Sequence, residues 1–134
     1  MHGGDAAMVE RGDIFAGRNK GNFFFKAIAP VLFGFGKSAR FEPDFYLEDG
    51  DDLAEHGFAA RVVHIPGHSR GSIGVFTAAG EFFGGDLLIR RNGPKRNKII
   101  DDVEAAEASI KKLKGLGIKT VYPGHGRPFP MELV

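Results

Sequence analysis

Cysteine is absent from this chain of 134 residues. Its absence excludes disulfides, thiolate metal sites, cysteine nucleophiles and dithiol redox motifs. A charge excess of one sign is also missing, because 18 Lys and Arg stand against 17 Asp and Glu, a net charge of +1. No bulk field therefore calls for nucleic acid or an anionic membrane as partner. Long hydrophobic runs are lacking as well. The most apolar stretch, Phe23 to Phe35, is broken by Lys26, Pro30 and Gly34 and is too short to span a bilayer. The start, Met1-His2-Gly3-Gly4-Asp5, has neither the basic nor the apolar region of a signal peptide. A soluble, cytoplasmic protein is the expectation.

What is abundant is glycine, proline and phenylalanine. Gly and Pro together make 27 of the 134 residues, which implies many short elements joined by tight turns. Phe supplies 13 of the 15 aromatics, and a phenyl ring has no polar tip to place in water. The length is that of one domain, so a single unit over residues 1–134 is expected.

Asp5 can cap a short helix, Ala6 to Arg11, closed by Gly12. Residues 12–22 read as polar loop, and Phe23 to Phe35 as a broken apolar helix or an interaction segment. From Phe41 onward the pattern turns to strands. Asp44 to Leu47 reads as one, followed by the Glu48-Asp49-Gly50-Asp51 turn with hairpin chemistry. Phe58 to Ile65, Ser72 to Thr77 and Glu81 to Phe83 read as further strands, and Thr120 to Tyr122 as the last. Between these, Asp102 to Leu113 reads as a helix. A D-x-x-E start from Asp101 to Glu104 would open it, with Val103, Ala106, Ile110 and Leu113 on one face. Strands followed by a helix and another strand predict a mixed α/β fold, a mixed sheet with helices on one face.

Three of these strands end alike. Val63-His64-Ile65 runs into Pro66-Gly67-His68, Phe82-Phe83 into Gly84-Gly85-Asp86, and Val121-Tyr122 into Pro123-Gly124-His125. Pro or Gly stops each ladder, and a side chain able to hold a metal follows at the tip. Strand C-termini are where α/β folds commonly build sites. Two imidazoles and a carboxylate suit zinc, iron or manganese, and a metal there would lower the pKa of a coordinated water towards ~7.

The stretch His64 to Ser72, H-I-P-G-H-S-R-G-S, resembles the T-P-G-H-T-x-G-S motif of the metallo-β-lactamase superfamily. Phe83-Gly84-Gly85-Asp86-Leu87-Leu88 resembles its G-D-x-L-F motif, and Val121 to Gly126 its closing P-G-H-G motif. Their order matches, and His2 to Gly12 is similar to the helix after the family's first metal motif. The resemblance implies an αββα sandwich with a two-metal site, most often zinc. It implies that His68 binds the first metal, that His125 binds the second, and that Asp86 bridges them, which makes Asp86 the candidate catalytic residue. It implies hydrolysis by metal-bound hydroxide of an ester, thioester, amide or phosphodiester.

The family's H-x-H-x-D-H motif has no counterpart here, since the five histidines are His2, His56, His64, His68 and His125. The chain therefore resembles the C-terminal part of that fold, with a metal site incomplete in this chain alone and weak or absent activity. The other possibilities are a truncated, non-catalytic, self-associating module, or an anion-binding protein using the loop Arg90 to Lys98. That loop carries five positive charges and no acid, and Arg90 and Arg91 are its candidate substrate contacts. His64 is expected to be a hydrogen-bonded strand residue, His56 exposed, and His2 frayed. Gly34 to Ser38 has a faint phosphate-loop look but does not satisfy the motif. A half sandwich would expose one sheet face, and two copies could pack sheet on sheet. Light scattering at micromolar concentration should then report a homodimer; a monodisperse monomer would refute the pairing.

Overall fold

The computed structural model describes residues 1–13 and 40–134. Most of the expected 12–22 loop, the Phe23 to Phe35 stretch and the whole of Gly34 to Ser38 lie outside the described residues. In chain order the helices are α1 (Ala6–Arg11) and α2 (Val103–Lys114). The strands are β1 (Ala60–His64), β2 (Ile73–Thr77), β3 (Glu81–Phe83), β4 (Leu88–Arg90), β5 (Pro94–Arg96), β6 (Thr120–Tyr122) and β7 (Phe129–Pro130). Among the described residues no helix is long and apolar enough to cross a membrane.

Five strands make one mixed sheet in the order β1-β2-β3-β6-β7. All neighbours are antiparallel except β3 and β6, which run parallel and are joined through α2. Residues directly opposite one another share a sheet face. One face thus carries the row Phe76, Phe82, Val121 and Phe129, and onto it α2 brings Ala106, Ile110 and Leu113. Phe82, Val121 and Leu113 have no exposed surface, each burial stabilising by about 1.5–3 kcal/mol. The other face carries Val62, Val75, Phe83 and Tyr122, with Phe83 stacked on Tyr122 at 4.8 Å and 42 % exposed. The fold is the expected mixed α/β arrangement.

Several local expectations need correction. Asp44 to Leu47 is not a strand, because among the described residues nothing pairs with it in a ladder; Leu47 N donates to Met1 O at 2.8 Å. The turn at Glu48 to Asp51 exists, with Gly50 at φ 92, but leads only to a single bridge between Asp52 and Arg61. Helix α2 begins one residue later than the D-x-x-E pattern requires. Asp102 is its cap, its Oδ1 accepting from Ala105 N at 3.0 Å, so Glu104 falls out of capping position. Val103 consequently faces outward, half exposed, and Ser109 takes a buried place on the inner face. The stretch from Arg90 to Lys98 is not a loop but the core of a hairpin, β4 paired with β5. His2 is not frayed: its ring stacks on His64 at 4.0 Å and its Nε2 lies 3.2 Å from Glu48 Oε2.

One ion pair ties the end of α2 to β1. Lys112 Nζ donates to Asp49 Oδ1 at 2.7 Å and to His64 O at 3.1 Å, and His64 N donates to the same Oδ1 at 2.7 Å. The Lys112 bond first, and then the His64 N–H, hold the Asp49 pKa below the ordinary 3.8. A depressed carboxylate pKa means that this contribution is complete above ~3.8 and is lost as acid protonates the folded state. Both side chains are over a third exposed, so solvent screens the pair to at most about 1 kcal/mol. Asp49→Asn should cost that much at neutral pH and flatten the acid limb of a denaturation-versus-pH curve below about pH 4.

Candidate metal centre

Strand direction decides where the three tips fall. β1 and β3 are both antiparallel to β2, and β6 is parallel to β3, so β1, β3 and β6 all run the same way. Their C-terminal ends therefore leave the sheet at one edge. His68, Asp86 and His125 all line a single cavity there, of about 300 Å³.

The Asp86 and His125 tips are bonded to each other. Gly84 N donates to Tyr122 O at 3.1 Å and Gly124 N to Gly85 O at 2.7 Å, extending the parallel ladder past both strands. A Cβ on Gly124 would collide with the Asp86 carboxylate, so only glycine lets the two tips come this close. Asp86 Oδ2 and His125 Nε2 end 3.5 Å apart. Both are partly open to water.

The His68 tip is anchored to the start of α2 instead. Asp101 N and Asp102 N donate to Gly67 O at 2.8 and 3.1 Å, and Ser109 Oγ donates to Pro66 O at 2.8 Å. Gly67 sits at φ 138, where a Cβ would lie 2.6 Å from Ala106 Cα. His68 Nδ1 lies 2.7 Å from Ile99 O. A carbonyl only accepts, so Nδ1 carries the proton and the lone pair sits on Nε2, the tautomer a metal-ligating imidazole adopts.

Asn97 is a buried polar residue the sequence reading passed over. Its Nδ2 donates to Asp86 O at 3.0 Å and its Oδ1 accepts from Ile99 N at 3.1 Å, so one amide braces both the Asp86 tip and the residue holding His68. Its only sequence signal is an amide within a run of cations.

The β4–β5 hairpin divides those cations by strand alternation. Ile89 and Lys95 are opposite partners and both face the cavity, with Arg91 and Lys98 beside them. Arg96, one residue on, points away and pairs with Glu107 of α2 at 2.8 Å. Arg90 Nη1 donates to Pro128 O at 2.7 Å. Of the two candidate substrate contacts, Arg91 lines the cavity and Arg90 does not.

The donor chemistry suits a first-row metal, two imidazoles and a carboxylate on one cavity wall. Among the described residues no three His, Cys, Asp or Glu side chains close into a group that could hold a metal ion. Asp86 and His125 are assembled, whereas His68 shares their cavity without completing such a group.

A family model described as the metallo-beta-lactamase superfamily matches residues 4–125. The chain is 29% identical over 103 residues to an atrochrysone carboxyl ACP thioesterase of Aspergillus fumigatus, covering 74% of this chain and 31% of that protein. It is 42% identical over 43 residues to a hydroxyacylglutathione hydrolase of Aeromonas hydrophila, covering 32% of this chain and 16% of that one. Among solved structures, TTHA1623 in a di-iron-bound form superposes with a TM-score of 0.71 at 29% identity, covering 99% of this chain and 59% of the other. The chain thus spans no more than about a third of these curated relatives. With the match running from the N-terminal arm to the His125 tip, the chain belongs to the metallo-β-lactamase superfamily.

Proposed function

We propose that this chain forms one wall of a metal-dependent hydrolase centre for an ester or thioester that carries an anionic group. Its ligands are His68, Asp86 and His125, and zinc is the first choice of metal, with iron and manganese as alternatives. The observation that carries the reading is the shared cavity, where these three side chains meet a cationic wall of Arg91, Lys95 and Lys98. The relatives add a bias: one is named a thioesterase, another a hydroxyacylglutathione hydrolase, and a third was crystallised with two irons. A bound metal would supply Lewis-acid polarisation and a more acidic water. The chain's own residues bind and orient. Arg91, Lys95 and Lys98 take the anionic group, Ile89 and Ile99 present apolar surface that displaces water, and Ile99 O keeps the proton of His68 on Nδ1. Three protein donors would leave the fourth position of one catalytic zinc to water, but they cannot saturate two metals, so a two-metal centre would draw on groups beyond these three.

A second reading is a non-catalytic module that keeps the motifs and pairs with another copy. The three candidate ligands do not close into a ligating group, and Phe83 is exposed on the sheet face opposite α2.

Metal analysis and thioester hydrolysis separate the two. The first reading expects stoichiometric metal that His125→Ala abolishes, and Asn97→Ala should weaken metal affinity by roughly 10–100-fold. Lys95→Glu should raise KM for a carboxylate-bearing thioester and leave a neutral thioester unaffected. Metal-free protein without hydrolysis would overturn this reading and favour the second.

A further inference from the structure

Asp5 occupies the residue before α1, yet its side chain makes no helix cap. It reaches across the fold instead. Asp5 Oδ2 accepts from Ser69 Oγ at 2.5 Å and Oδ1 accepts from Gly71 N at 2.9 Å. Ser69, almost fully buried, shares its hydroxyl with Ser72 Oγ at 2.7 Å and donates its N–H to the same oxygen at 3.0 Å. Gly67 N donates to Ser69 O at 3.0 Å, closing the turn around His68. A Cβ on Gly71 would sit 2.6 Å from Asp5 N and 2.7 Å from Asp5 Cγ, so the two segments touch at a distance only glycine permits.

We infer that Asp5 is a positioning residue for His68, an inference that rests on the reading of His68 as a ligand. The turn from Gly67 to Ser72 is held on one flank by α2, through Gly67 O and Pro66 O, and on the other by this carboxylate. His68 lies between the two grips. Its backbone follows the turn, while its ring is fixed by Ile99 O. Without Asp5 the turn keeps the α2 grip, the bond between Ile65 N and Ser72 O at 2.8 Å and the contact of His64 Nε2 with Arg70 O at 2.9 Å. Ser69 and Gly71, which flank His68 most closely on this side, lose their carboxylate, however, and the angle at which His68 meets Ile99 loosens. The N-terminal arm has independent anchors, with His2 stacked on His64 and Leu47 N bonded to Met1 O, so removing the Asp5 carboxylate releases the turn and not the arm.

The test is imidazole nitrogen NMR on the metal-free 134-residue chain, with zinc affinity measured by chelator competition. In the starting protein His68 should show one Nδ1-protonated tautomer. In Asp5→Ala its ring nitrogens should average towards a tautomer mixture while those of His125 stay unchanged, and zinc affinity should fall roughly 10–100-fold. Unchanged His68 nitrogens in a folded Asp5→Ala protein would overturn the inference. Should that variant fail to fold, Asp5→Asn and Ser69→Ala, which keep the volume or one of the two bonds, are read the same way and decide it. A starting protein that takes up no zinc removes the ligand reading, and the NMR comparison still decides the role of Asp5.

Discussion

The parallel pairing of β3 with β6 is the constraint from which the rest of the site follows. Parallel strands finish on the same side of a sheet, and an antiparallel pair before them restores direction after two reversals. With β1, β2 and β3 as a meander and β6 added beside β3, three strand ends emerge together and carry His68, Asp86 and His125, although these lie up to 57 positions apart in sequence. A parallel neighbour cannot be reached by a tight turn, so the chain must cross over, and α2 is that crossover. The same helix that makes the parallel pair possible fills the core beneath it and receives the Pro66-Gly67 turn at its first residues.

The cavity's polarity comes from the hairpin inserted between β3 and α2. Its two strands are short, but the pleat still assigns each cation a side. Arg96 goes to α2, where Glu107 takes it, and Lys95 goes to the cavity with Ile89. Arg90 is drawn off by the Pro128 carbonyl. The five cations are therefore not one basic patch. Three form a wall facing the candidate ligands, and two act as fasteners between the hairpin and the rest of the molecule.

Elements bounded by glycine or proline were legible in the sequence. α1, β3 and β6 begin and end where the pattern places them, because Gly12, Gly80, Gly84 and Pro123 stop them regardless of tertiary context. Elements defined by a partner were not. Asp44 to Leu47 has strand composition and no ladder, while β4 and β5 form a ladder out of residues whose charge masks strand propensity. The start of α2 shifted by one residue because Asp101 and Asp102 both offer a carboxylate, and Gly67 O captures the backbone N–H of both before the helix begins. The candidate ligands stood out because each follows a strand-stopping Gly. Asn97 and Asp5, which brace them, carry no such signature; their roles arise from contacts that span distant parts of the chain.

The bond that orients His68 comes from the main chain of Ile99, whose own side chain is 68 % exposed. A carbonyl is offered by every amino acid, so this position can drift across related sequences without loosening the imidazole. Comparison of residue identities would pass over it, and its importance would surface only where an insertion or deletion alters the path of the chain between Asn97 and Asp101.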